Sequence, residues 1–348
     1  MLHSLIVGFG LAGMAYAEHL QRNGDSYRVI YQAGGGSSLQ AAGIFNPTIL
    51  KRYTMAWKGL SFYEEAVHFY DEQAKRLGNT YLQPYPILKV FAQTADHNLW
   101  LSAAGTSGLE KFLDPKIYQD PILPVHTPAG YGKVLHMGRL DISGLQKHLI
   151  QEHAEAFYTE NFDFDALQIL DSGVEYKGIR ARNLVFCQGF QMHQNTLFDL
   201  EPLRGCKGEF LIVEAPEWSE NYILKSNIFV VPLGNHRFWV GATFDWKDKT
   251  LKPTPEGRKW LEDRLQRLLK ASYTVVDHQA QIRPTVKDRR PLLVQHPQYS
   301  HIYALNGLGT RGVLMAPYLS RILLESINQN TPLDPAFTLQ RFNENELC

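Results

Sequence analysis

The chain has 348 residues, with 35 Lys plus Arg against 35 Asp plus Glu. That length suits roughly two domains, and the zero net charge provides no overall basic field for nucleic acid or an anionic membrane. Hydrophobic residues make up 44% and charged residues 20%, so a large packed core is expected, and no apolar run is long enough to span a bilayer. Cys187, Cys206 and Cys348 lie far apart without a C-x-x-C pair, and the 13 His show no H-E-x-x-H spacing. This speaks against a disulfide framework or a zinc site and suits a reducing cytoplasm.

The first element is carried by "LIVGFGLAGM", residues 5 to 14. Only Met1 to Ser4 precede it, without Lys or Arg, which disfavours a secretory leader. Leu5 to Val7 form a short apolar run fit for a buried strand. Gly8, Gly10 and Gly13 then follow in G-x-G-x-x-G spacing. Leu11 to Arg22 read as a helix stopped by Asn23 and Gly24, and Tyr27 to Tyr31 as a second strand. In such a unit the first glycine makes the tight turn, the second lets backbone lie against a pyrophosphate, and the third lets helix pack on strand. The free N–H groups of the helix start then face the phosphates. The alternative is a tight turn with no ligand. The acidic residue expected about 20 positions on, to hold a ribose, is missing. Gln32 stands there, able to hydrogen-bond a hydroxyl without charge.

Residues 58 to 77 show helical spacing and end at Gly78. Residues 80 to 95 read as strand material around a turn, 97 to 113 as a polar helix, and 119 to 132, rich in Pro and Gly, as loop. Residues 140 to 157 read as a helix capped by Asp141 or Ser143. Leu184 to Cys187 form a buried strand ending at Gly189, a natural wall for a nucleotide. Residues 208 to 215 and 227 to 243 are β-rich, 255 to 271 are a charged helix, and strands return at 273 to 283 and 301 to 305. The last stretch, "NGLGTRGVLMAPYLSRILLESI" from residue 306, is again strand, glycine loop and helix. Gly307, Gly309 and Gly312 leave backbone free to approach a planar ligand, and the helix start aims positive potential at it. Two such turns at opposite ends of the chain suggest one long ligand clasped by both.

Four ordered blocks resemble the D-amino-acid oxidase superfamily of FAD-dependent oxidoreductases, which includes glycine oxidase and sarcosine oxidase. "VGFGLAG" is similar to its pyrophosphate turn, "SSLQAAGIFNP" (37 to 47) to its loop beside the flavin, "IRPTVKDRRPLL" (282 to 293) to its R-P-x-x-x-D-x-x-P segment, and "NGLGTRGVLMAP" to its terminal glycine loop. The main departure is Gln32. The resemblance implies an α/β fold of mixed α+β character: a Rossmann-like FAD-binding domain from residues 1–79, 136–205 and 281–348, and a smaller substrate domain on an antiparallel sheet from 80–135 and 206–280. It implies FAD contacts at Gly8, Gly10, Leu11, Ala12, Gly13, Gln32, Ser37, Ser38, Ala42, Gly43, Gly189, Gly307, Gly309, Thr310, Arg311 and Gly312. Ser37 and Ser38 would reach phosphates, and Ala41, Ala42 and Gly43 would leave room for the ring.

Arg283 precedes a proline at the end of an apolar strand. There it is either a structural ion-pair partner or a bidentate carboxylate clamp, and the resemblance favours the clamp. Lys51 and Arg52 follow the "GIFNP" loop, either over the flavin face or as a solvated pair. No cysteine matches the covalent flavin attachment of sarcosine oxidases, so FAD is expected without a covalent bond. The implied reaction oxidises the C–N bond of a small amine, D-amino acid or imino acid by hydride transfer to flavin, with oxygen or another electron acceptor. One alternative is the same chemistry on a modified tRNA wobble uridine, although no nucleic-acid partner is expected from the net charge. Another is an NAD(P)-dependent dehydrogenase using only the first turn.

Overall fold

The computed structural model describes residues 1–122 and 124–343; Cys348 lies outside them. In chain order the elements are β1 (Leu2–Val7), α1 (Leu11–Asn23), β2 (Tyr27–Tyr31), the two-residue strands β3 (Ile44–Phe45), β4 (Thr48–Ile49) and β5 (Thr54–Met55), α2 (Gly59–Leu77), β6 (Leu82–Pro84), β7 (Ile87–Val90) and α3 (Ala95–Ala104). Then come β8 (Tyr131–Val134), β9 (Gly138–Leu140), α4 (Ile142–Glu152), β10 (Phe157–Thr159), β11 (Leu167–Leu170), β12 (Gly173–Tyr176) and β13 (Ile179–Phe186). The remainder is β14 (Cys206–Glu214), β15 (Ile223–Lys225), β16 (Phe229–Gly234), β17 (Arg237–Gly241), α5 (Pro255–Leu268), β18 (Thr274–Arg283), β19 (Leu292–Gln295), β20 (Ile302–Asn306), α6 (Gly312–Gln329) and α7 (Gln340–Asn343).

Two large sheets organise the chain. In the first, β10, β2, β1, β13 and β20 run parallel, β12 and β19 pair antiparallel with β13 and β20 respectively, and β11 pairs antiparallel with β12 at the edge. The first half of β13 pairs with β12 and its second half with β20, so β1 and β20 flank β13 with their C-terminal ends together. These central strands are buried on both faces, as continuous apolar runs such as "LIV" require. One face packs on α1, α2, α4 and α6 through Tyr16, Phe62, Leu145 and Leu319. The other buries Phe186, Phe198 and Leu203. The second sheet has the order β18-β14-β17-β16-β15-β7-β8. It is antiparallel except for β7 beside β15, so two distant chain segments meet through one parallel pair. Helix α5 covers one of its faces, with Leu261 and Leu265 against Leu211, Val213 and Val240.

The local chemistry explains the boundaries. Gly24 ends α1 in the left-handed region, at φ 73°, and its N–H bonds back to Gln21. The Asp141 carboxylate accepts from the Gly144 N–H at 3.1 Å and caps α4. The expected polar helix over 97 to 113 is shorter than its sequence suggests, because α3 stops at Ala104 and Gly105 and Gly108 lead into turns. The expected loop over 119 to 132 already contains the start of β8 at Tyr131. No described helix is long and apolar enough to cross a membrane.

Candidate active site

One cavity of about 1540 Å³ lies between the C-terminal ends of the parallel strands and the second sheet. It exceeds the roughly 300–1,000 Å³ of an ordinary small-molecule site. All the residues singled out from the sequence line it except Gly13 and Gly307.

The first glycine turn is as tight as its spacing predicts. Gly8 has φ +98°, and a Cβ there would stand 2.5 Å from the Cys187 carbonyl oxygen. A Cβ on Gly13 would meet the Gly8 carbonyl oxygen at 2.1 Å, so the third glycine sets strand and helix at close contact. A Cβ on Gly10 would meet only the Ser38 side chain, its hydroxyl at 2.8 Å and its Cβ at 3.4 Å. Helix α1 has no acidic residue in its first turn and no side-chain cap at Gly10. The Ser38 hydroxyl, expected to reach a phosphate, accepts from the Leu11 N–H at 3.1 Å and so sits on the helix start itself. Gly43 has a different reason for its size than room for a ring: at φ +75°, a Cβ would lie 2.1 Å from the Leu140 carbonyl oxygen.

The second turn meets the first. A Cβ on Gly312 would press on Leu11 at 2.8 Å, and Gly307 and Gly309 both have positive φ. Helix α6 also starts without a side-chain cap or an acidic first turn. Asn306, which sequence reasoning missed, ties the wall together: its Nδ2 donates to the Gly189 carbonyl at 2.9 Å and its Oδ1 accepts from the Gly307 N–H at 2.7 Å. The Gln32 carboxamide accepts from Gln191 at 2.9 Å. Arg311 lines the cavity with Nη2 3.4 Å from the Thr48 carbonyl, and its buried Nε has no partner. Two helix starts without acidic first-turn residues, backbone approached without side chains and an orphaned guanidinium nitrogen together fit a long anionic cofactor such as FAD.

The second sheet supplies the opposite wall. Phe210, Gly241, Phe229, Lys225 and Lys89 stand in one row across β14, β17, β16, β15 and β7, and all face the cavity. Trp239 Nε1 donates to the Gln40 carbonyl at 3.2 Å, fixing this sheet to the 37–47 loop. Arg283 ends β18. Its Nη1 donates to the Thr243 carbonyl at 3.3 Å, and its guanidinium lies 4.6 Å from the centre of the Phe244 ring. Burial holds its proton affinity below the usual value, and no carboxylate offsets that burial. A Cβ on the facing Gly208 would fall 2.0 Å from Nη2, so Gly208 makes the space that Arg283 occupies. Gly208→Ala should therefore push the guanidinium aside while the flavin stays bound. The expected result is at least about tenfold weaker binding of a carboxylate inhibitor, the scale of losing roughly 1.4 kcal/mol, read from the flavin spectrum.

Lys51 and Arg52 are exposed on the cavity rim. In all, eight Lys and Arg side chains line the cavity against a single carboxylate, Asp96. Among the described residues, no group of three or more His, Cys, Asp or Glu is placed to hold a metal ion.

A parallel sheet with two glycine turns at its strand ends, roofed by a second sheet over a common cavity, defines a dinucleotide-type oxidoreductase fold. The sequence profile of the family described as FAD dependent oxidoreductase matches residues 3–326, and the chain belongs to this family. The nicotinamide-dependent alternative gives way to that match. The fold is similar to iminodiacetate oxidase from Chelativorans sp. BNC1 (TM-score 0.77, 18% identity, 95% of this chain and 96% of that one). It is also similar to glycine oxidase from Geobacillus kaustophilus (TM-score 0.75, 20% identity, 97% and 98%). In sequence it is 24% identical to the tRNA 5-methylaminomethyl-2-thiouridine biosynthesis bifunctional protein MnmC of Marinobacter nauticus, over 99% of this chain. The chain spans 59% of that relative's length.

Proposed function

We propose that this chain oxidises the C–N bond of a small amine, D-amino acid or imino acid, with FAD held non-covalently between the two glycine turns. The observation that carries this reading is Arg283: a cation on the cavity wall, given its space by Gly208, stacked on Phe244 and lacking a carboxylate partner. A guanidinium so placed offers paired donors to a substrate carboxylate. Bound FAD would supply the oxidising power, taking the hydride of the substrate's α C–H bond as the C–N single bond becomes the C=N of an imine. The chain's own contribution is orientation and electrostatics. Arg283 fixes the carboxylate, Phe210, Phe229 and Trp239 exclude water, and the α6 start places positive potential at the other side of the cavity. Cys187 lines the cavity, but burial pushes its thiol well above the ordinary range, so it is no thiolate for a flavin linkage.

The test is spectroscopic. The purified protein should be yellow, and acid precipitation should leave all of the colour in the supernatant. An anaerobic screen of amino acids and N-alkyl amino acids should then bleach the flavin with at least one of them. Colour retained on the pellet refutes non-covalent binding, and a flavin that no amine bleaches refutes the reaction. A second reading, the same oxidation on a modified tRNA wobble uridine, is favoured by the cationic cavity wall together with what the Marinobacter nauticus relative is named for. Bleaching by tRNA alone, with small amines inert, would select it.

A further inference from the structure

Lys89 and Lys225 are direct neighbours in the parallel pair of β7 and β15. Like charges opposite one another destabilise a sheet, yet neither lysine has an acidic partner, and both face the cavity with Lys51 beside them. Asp96 is the one nearby carboxylate, and its Oδ2 is already held by the Ala92 N–H at 2.9 Å. Burial, then Lys89 and Lys51, pull the Lys225 ammonium down to about 7. The arrangement disfavours the empty site and would be relieved by an anion. FAD has no need of it, because the Gly8–Gly13 turn lies across the cavity in the first sheet.

We propose that Lys51, Lys89 and Lys225 form an anion subsite at the end of the cavity remote from Arg283, and that it holds a phosphate at the far end of the amine substrate. Three ammonium groups act as point charges suited to a phosphate rather than to planar carboxylate pairing. Arg283 in β18 and Lys225 in β15 are four strand spacings apart, about 19 Å across the sheet. Long side chains narrow that gap, but a two- or three-carbon amino acid does not bridge it. The substrate is therefore an elongated phosphate ester, either a phosphorylated small amine or a nucleotide. This inference rests on the amine-oxidation reading.

The probe is inorganic pyrophosphate, titrated calorimetrically into the FAD-loaded enzyme. Wild type should bind it. K89M and K225M should each bind at least about tenfold more weakly, K225R should retain affinity, and added salt should weaken binding throughout. Both methionine variants should melt at higher temperature than wild type, because a like-charge pair is gone; this separates a lost site from a lost fold. Equal affinity in wild type, K89M and K225M, or no binding by wild type, overturns the proposal. O-phosphoethanolamine and adenosine monophosphate are then competed against pyrophosphate. Displacement by either supports a phosphate-ester subsite and identifies its source; displacement by neither, or equally by succinate, overturns it. A carboxylate inhibitor monitored at the flavin reports separately on Arg283. Its failure with pyrophosphate binding intact would sink the amine reading and leave the subsite standing.

Discussion

Replacing Arg283 by alanine is expected to abolish measurable binding of carboxylate inhibitors while FAD stays bound. The guanidinium sits on the cavity wall, half-buried between Phe244 and the Thr243 carbonyl. Losing a desolvated charge-assisted pair costs about 2–5 kcal/mol, a drop of roughly 30-fold or more in affinity. Arg283→Lys should fall between, because a lysine offers a point charge without the planar fork. Titration of the flavin spectrum with one inhibitor across the three proteins measures this. Unchanged affinity in Arg283→Ala, with FAD retained, would make the arginine structural and move the search to Lys51, Arg52 or Arg311.

Gly10→Val is expected to yield a folded, colourless protein. A Cβ at Gly10 meets only the Ser38 side chain and no backbone, so the fold should tolerate the change. The branched group would instead project where a pyrophosphate must lie against backbone. Gly8→Val makes a contrasting control: its positive φ and its contact with the Cys187 backbone should prevent correct folding altogether. Circular dichroism and FAD content separate the two outcomes. A Gly10→Val protein that holds FAD as tightly as wild type would show that this turn does not cradle the cofactor.

Both glycine turns were legible in the sequence because close backbone approach tolerates no side chain and so leaves a fixed spacing. The Asp141 cap and the Gly24 stop were legible for the same local reason. What remained hidden depends on pairing between distant segments. Lys89 and Lys225 look like ordinary solvated charges until β7 and β15 bring them side by side. Balanced composition hid the cavity's local excess of positive charge, because the acidic residues that offset it lie elsewhere. Gly208 gave no signal, since its partner is a side chain from another strand. The β11–β12 hairpin was not read either, and its outward residues Gln168 and Leu170 are exposed, leaving little apolar contrast to mark a strand.

The strand order also sets a schedule for synthesis. β1 pairs with β2 soon after synthesis, but its other parallel neighbour is β13, which pairs in turn with β20, so one edge of β1 stays open until β13 leaves the ribosome. The second turn and α6 follow later still. At about 5–20 residues per second, residues 8 to 312 take roughly a quarter of a minute to a full minute to appear. Throughout that interval the first turn and the apolar strand before it stand without their final cover. If FAD is clasped by both turns as proposed, it is captured only near the end of translation, and a chain truncated before β20 is expected not to bind FAD even when FAD is in excess.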